Sequence, residues 1–146
     1  MESIRIKKDD VYRIEVNDKG EYIEFDLLDI ELPMKCLNAS KELKRQCTFY
    51  NQRVKAIQNQ YKDNQESLFV NKHKADMDYC RKMREVFDDF LGEGACQKIF
   101  GDTNRIGMFD ELFEQLTPHF EKMQINVEKI KDIIIDKYSN KDKGII

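Results

Sequence analysis

The sequence contains no tryptophan, and its 146 residues include only two prolines, six glycines and two histidines. So little proline and glycine argues against a loop-rich or collagen-like chain. No segment approaches the roughly 18 consecutive apolar residues of a membrane span, so no membrane partner is expected. The N-terminal residues are charged rather than apolar, which does not fit a secretory signal peptide. We therefore expect a cytoplasmic protein.

The cysteines and histidines lack the spacing of a metal or redox site. No two cysteines form a C-x-x-C pair, and no cysteine lies at a short ligand spacing from a histidine. Reduced thiols, no metal and no cofactor are expected. The residues concerned are Cys36, Cys47, Cys80, Cys96, His73 and His119.

No pattern of residues predicts catalysis. The paired carboxylates at 88–89 and 110–111 are adjacent in sequence, so on a helix they point to different faces and form no acid/base pair. Gly92, Gly94 and Gly101 do not have the spacing of a phosphate-binding loop and are not followed by its lysine. We expect a protein that is not an enzyme.

Charge and composition fit one helical domain over residues 1–146. Charged residues make up 36% of the chain and hydrophobic residues 40%, which suits a thin core with a large solvated surface. The net charge is −3, but residues 36–62 hold six basic groups and one acidic group. We interpret this segment as compensating acidic segments within the fold. A nucleic-acid-binding face is the less favoured alternative.

Residues 11–28 alternate between apolar and polar positions, which predicts a β-hairpin with its turn at residues 17–20. A two-stranded ribbon is marginal in water by itself. Its apolar face is therefore expected to pack on the helical body, on another subunit or on a client protein.

Residues 34–91 predict a long antiparallel helical hairpin that Pro33 opens. Apolar positions at 43, 47, 50, 54, 57 and 61 follow a heptad seam, and a second seam in a different register starts at Phe69. We place the tip near Asp63, where Asp63 and Glu66 have capping-box spacing. One uninterrupted helix is the alternative, because no glycine or proline marks the tip.

Residues 95–138 predict a compact group of three helices, followed by a flexible tail over 139–146. Gly92 and Gly94 end the long helix, and Gly101 ends a short helix at 95–100. Residues 102–104 offer N-caps for the next helix, and Thr117-Pro118 predicts a further restart. We expect the three glycines to allow sharp bends and the apolar residues of this segment to build a packed corner. Those apolar residues that are not part of the core are expected to form a groove for a client protein. The apolar residues are Ile99, Phe100, Phe109, Leu112 and Phe113.

The segment at 81–102, with its Phe-Leu-Gly-Glu-Gly break and Lys-Ile-Phe-Gly-Asp ending, resembles small tail-module proteins of phages and prophages of Gram-positive bacteria. The likeness continues through residues 108–114 and 118–123. These proteins resemble tail assembly chaperones. The resemblance implies a non-enzymatic protein that transiently binds the tape-measure protein or another tail protein, with self-association left open.

Two other functions remain open from the sequence. One is a structural tail or baseplate component of the particle. The other is a helical regulatory or nucleic-acid-associated module that uses the basic segment at 36–62.

Overall fold

The computed structural model describes residues 1–7 and 10–123 of the chain. It is mainly α-helical, with an N-terminal β-hairpin, two long helices and a compact C-terminal helical part, as the sequence predicts. The predicted helical residues beyond 123 and the predicted tail at 139–146 lie outside the described residues. The elements are β1 (Val11–Glu15), β2 (Tyr22–Asp26), α1 (Leu32–Gln60), α2 (Gln65–Leu91), α3 (Ala95–Phe100) and α4 (Met108–Lys122).

The β-hairpin packs its apolar face on the helical body. Its strands are antiparallel, with Tyr12 opposite Phe25 and Ile14 opposite Ile23. The turn uses Asn17, whose Oδ1 accepts from the backbone of Lys19, and Gly20, whose φ is +79°. Both Ile23 and Phe25 are buried. Among the three partners expected for the apolar face, the structure therefore selects the chain's own helices.

The two long helices form an antiparallel hairpin, and the alternative of one uninterrupted helix is wrong. Tyr50 on α1 packs against Tyr79 on α2 with tilted rings whose centres are 4.7 Å apart, and the Tyr50 hydroxyl donates to the Asp76 carboxylate. Arg53 donates to Asp78 at 2.7 Å. The heptad seam of α1 is buried from Leu43 to Ile57, as its spacing predicts. The second predicted seam is buried only from Cys80 to Phe90, and its start at Phe69 is wrong because Phe69 is exposed near the tip. Burial of the facing parts of the two helices therefore closes the hairpin without a glycine or proline at its tip.

The tip differs from the prediction in its capping residue. Asn64, not Asp63, caps α2, because the Asn64 side-chain oxygen accepts from the Ser67 backbone N–H at 3.1 Å. The predicted capping box between Asp63 and Glu66 is therefore wrong, because the capping residue lies one position later in the chain. At the other end of the hairpin, α1 starts at Leu32, so Pro33 lies in the first helical turn.

Helix α4 begins later than predicted, and nothing restarts it at Thr117. Its N-cap is Gly107, which follows the predicted caps at 102–104 by several residues. It then runs through Pro118 to Lys122, with the Thr117 hydroxyl donating to the Phe113 carbonyl at 2.9 Å. A proline inside a helix costs about 3 kcal/mol. Burial of apolar residues on one face across the whole helix offsets that cost; they are Met108, Phe109, Phe113, Leu116 and Phe120.

A series of aromatic rings in contact joins the β-hairpin, α2, α3 and α4 in one core. Phe87, Phe109 and Phe120 are fully buried, and each has its ring within about 6 Å of other rings in the core. Phe109 packs on α2 near Tyr79, and Phe120 packs near Phe90. Helix α4 therefore runs in the same direction as the second half of α2. The β-hairpin contacts this core through Phe25, whose ring packs on Phe90.

Candidate protein-binding corner

The corner around α3 is built on three glycines with positive φ, as the sequence predicts for Gly101. Gly92 has φ 115° and ψ 152°, Gly94 has φ 79° and ψ 3°, and Gly101 has φ 61° and ψ −140°. These conformations are open to glycine and strained for residues with a Cβ atom. They let the chain leave α2, form the six-residue helix α3, and leave it again within a few residues.

Asp88 of α2 supplies the cap that α3 lacks. Gly94 is the N-cap of α3 and has no side chain to accept a hydrogen bond. The Asp88 Oδ1 instead accepts from the backbone N–H of Cys96 at 2.9 Å. A carboxylate at this position also interacts favourably with exposed N–H groups at a helix N-terminus. Sequence patterns find caps next to a helix, so a cap eight residues away gave no signal.

Arg84 holds the opposite end of α3, one turn before Asp88 on α2. Its guanidinium donates to the carbonyls of Gly101 at 2.9 Å and Thr103 at 2.7 Å, and to the Asn104 side chain at 3.0 Å. It also lies over the Phe100 ring, 5.8 Å from its centre. Residues 102–104 therefore form a loop held by an arginine rather than the cap of a helix.

We expect Arg84→Lys to lower the free energy of unfolding by about 1–2 kcal/mol, because lysine keeps the charge but cannot donate in three fixed directions. Urea titration followed by circular dichroism measures the change. Arg81→Lys is the matched control, since Arg81 makes an exposed ion pair with Asp78 and its loss should stay within about 0.5 kcal/mol. Equal shifts for the two variants would contradict the role of Arg84.

The apolar residues predicted for the corner divide into two groups. Phe109 and Phe113 are buried in the core and are not available to a partner. Ile99, Phe100 and Leu112 are half-buried. The second group lines a groove of about 400 Å³ between α3 and α4.

The rest of this groove comes from residues that sequence reasoning missed. Val16, directly after β1, and Met108, at the start of α4, complete its apolar lining. Arg105 and Glu111 place charges of both signs beside it. The Asn17 side chain donates to the Lys98 carbonyl at 3.0 Å, which fixes the hairpin turn against α3. The groove is therefore framed by three elements that tertiary contacts hold together.

Two cysteines of the described residues have thiols whose pKa is strongly shifted. Burial raises the pKa of Cys36 and of Cys96 to about 12, so both thiols are protonated near neutral pH. Within residues 1–7 and 10–123, no group of three or more histidine, cysteine, aspartate or glutamate side chains could hold a metal ion. In the same part of the chain, no helix is long and apolar enough to cross a bilayer.

His119 joins α4 to the β-hairpin by a hydrogen bond of 2.8 Å between its Nδ1 and the Tyr12 hydroxyl. Burial, with a smaller effect from Lys122, lowers the pKa of His119 below its ordinary value of 6.5. As the pH falls from 6.5 towards the folded pKa, the unfolded chain binds this proton more readily than the folded chain. The His119 contribution to stability is therefore present above pH 6.5 and is lost through that window.

We expect His119→Asn to reduce the loss of stability between about pH 7 and about pH 5.5, because an amide near the Nδ1 position does not titrate. Thermal melts of both proteins across this range measure the difference in slope. Parallel curves for the two proteins would show that His119 does not set this pH dependence. His73→Asn is the control, because it removes the other histidine and leaves the Tyr12 contact intact.

Comparison with known proteins gives a family without an assigned activity. The chain belongs to DUF6673, a family of unknown function whose model matches residues 19–144. Neither the comparison with curated proteins nor that with solved structures found a match.

Proposed function

We propose that this member of the family acts as a tail assembly chaperone, a non-enzymatic protein that transiently binds the tape-measure protein in the host cytoplasm while a phage tail is assembled. The resemblance of residues 81–102, 108–114 and 118–123 to phage tail-module proteins supports a role in tail assembly. An elongated helical protein with exposed apolar stripes aggregates without a cover, which gives such a chaperone its physical purpose.

The corner groove is the observation that carries the proposal. Four of its five apolar side chains are half-buried, so each of the four keeps a surface that a partner can cover, whereas Met108 is buried. The frame is held by Arg84, Asp88 and Asn17, so the groove exists before the partner arrives. A preformed groove that sets apolar side chains beside charged ones suits an amphipathic helix, because little conformational entropy is lost on binding.

The test is co-expression of this protein with the long helical protein encoded just downstream in its own genome, followed by pull-down. We expect a soluble complex and a partner that is insoluble when produced alone. The absence of a complex, with this protein recovered in finished particles, would instead identify a structural tail component. Its absence from both the complex and the particles would overturn a role in the tail.

Substitutions in the corner groove test whether the partner binds there. Leu112→Glu places a charge in the groove and should reduce the recovered partner about 10-fold. Ile99→Ala is a milder second variant, which keeps the test valid if Leu112→Glu unfolds. The control is Ile30→Glu, since Ile30 lies on an exposed turn and lines no part of the groove. Equal recovery with all three variants would exclude the corner groove as the binding site.

A further inference from the structure

A second groove runs between the two long helices and shares no lining residue with the corner groove. It has a volume of about 410 Å³. On α1 its wall is formed by Arg45, Phe49 and Arg53, which follow one another every four residues along one helix face. On α2 the wall includes Ala75 and Lys82, two turns apart.

The floor of this groove is aromatic and buried. Tyr50 and Tyr79 pack against each other there with tilted rings, and both have their pKa raised, mainly by burial, so their hydroxyls are neutral. The Tyr50 hydroxyl already donates to Asp76. The floor therefore presents aromatic ring surface, and the Tyr50 hydroxyl is already engaged.

Phe49 stands at the wall of this groove with 59% of its surface exposed. Its neighbour in sequence, Tyr50, is 4% exposed and belongs to the core. An exposed aromatic ring beside a concave apolar floor is the arrangement found at the centre of protein interfaces, where aromatic and arginine residues carry most of the binding free energy. The ring alone does not identify the partner.

The charges around the groove indicate the chemistry of the partner. Among the described residues, four basic side chains line it and one carboxylate, Asp78, does. Asp78 is shared between Arg53 at 2.7 Å and Arg81 at 3.2 Å, so one negative charge faces two positive ones. The remaining two basic side chains, Arg45 and Lys82, make ion pairs within their own helices and are more than half exposed. Exposed pairs of this kind contribute little, so their cations can turn to a partner.

The dimensions of the groove fit a helix rather than a single side chain. From residue 45 to residue 53 a helix rises about 12 Å, which is a little over two turns. Two antiparallel helices leave a groove between their ridges that accepts a third helix. Nothing in the described residues occupies that position, because α4 packs on α2 through Tyr79, Phe87 and Phe90 and contributes no residue to the lining of the groove.

We propose that the groove between α1 and α2 binds an acidic amphipathic helix of a partner protein, with Phe49 covered by the apolar stripe of that helix and Arg45, Arg81 and Lys82 facing its carboxylates. The basic character of residues 36–62 then serves protein recognition in addition to charge balance. This inference does not depend on the corner groove or on a role in tail assembly.

The test uses a fluorescein-labelled peptide of about 20 residues, made of Glu, Ala and Leu with leucines at helical spacing. Anisotropy measures its binding to the full chain at low and at physiological ionic strength. Two comparison peptides have lysine in place of glutamate, or the same composition in an order without an apolar stripe. We expect each comparison peptide to bind at least about 10-fold more weakly, and the acidic peptide to weaken as salt rises.

Phe49→Ala should weaken the acidic peptide about 10-fold, because a covered aromatic ring is lost. Phe69→Ala is the matched control: Phe69 is 75% exposed near the tip of the hairpin and lines no part of the groove. Because both rings are exposed, both variants should keep the Tm of the parent chain. Arg45→Glu tests the charge and should weaken binding while flattening its salt dependence.

Three results would overturn the proposal. The first is equal binding by Phe49→Ala, Phe69→Ala and the parent chain. The second is a basic peptide or duplex DNA that binds in the groove more tightly than the acidic peptide, which would favour a different ligand class. The third is sedimentation showing a dimer of the free chain that Phe49→Ala dissociates, because a second copy would then be the occupant.

Discussion

Phe109→Ala is expected to lower the free energy of unfolding by about 3–5 kcal/mol. Phe109 is 0% exposed, and its ring lies 5.9 Å from Phe87, 6.0 Å from Tyr79 and 5.5 Å from Phe100. Truncation removes these ring contacts and leaves a cavity where α2, α3 and α4 meet. Because small domains have about 5–15 kcal/mol of total stability, the loss is a large share of it.

Urea titration of the parent chain and the variant measures this loss, with the slope of the transition as a check on two-state unfolding. Phe109→Leu is the matched control, since leucine refills most of the volume and should cost about 1–1.5 kcal/mol. A loss below about 1.5 kcal/mol for Phe109→Ala would show that the ring is not buried as described. It would also return Phe109 to the set of residues available to a partner.

Gly101→Val is expected to lower the free energy of unfolding by about 2–3 kcal/mol. Gly101 has φ 61° and ψ −140°, a region that β-branched residues avoid. An added Cβ would meet no heavy atom within 4 Å, so the cost comes from the backbone and not from a clash. Because Gly101 also offers its carbonyl to Arg84, a change in φ there would disturb the end of α3.

Thermal melts measure this effect, at about 2–4 °C for each kcal/mol in a chain of this size. The control is Gly107→Ala, where φ is −81° and an added Cβ again meets nothing within 4 Å. We expect Gly107→Ala to leave the Tm unchanged or to raise it slightly, because alanine restricts the unfolded chain. An unchanged Tm for Gly101→Val would make the positive φ of Gly101 wrong.

Together these two substitutions separate the frame of the corner from its binding surface. Phe109 and Gly101 act on stability, and their effects should appear without any partner. Leu112 and Ile99 are half-buried in the groove, and their effects should appear mainly in partner recovery. A variant of Leu112 that lost stability as strongly as Phe109→Ala would place Leu112 in the core and remove the groove.

The sequence by itself determined the fold class and most of the elements. Period-two alternation predicted the strands, and the seam from Leu43 to Ile57 predicted the buried face of α1. The glycines at 92, 94 and 101 predicted both ends of α3, because positive φ is a local property that one residue type supplies. In each case the signal lies within a few residues of the feature that it predicts.

Only the tertiary structure decided what depends on residues far apart in the chain. Thr117-Pro118 favours a new helix locally, yet α4 continues because its apolar face is buried on both sides of the proline. Residues 102–104 favour a helix cap locally, yet Arg84 holds them as a loop. The corner groove and the groove at Phe49 likewise exist only where elements meet. Local preferences of about 1 kcal/mol yield to the burial of several apolar side chains, and burial is set by the whole fold.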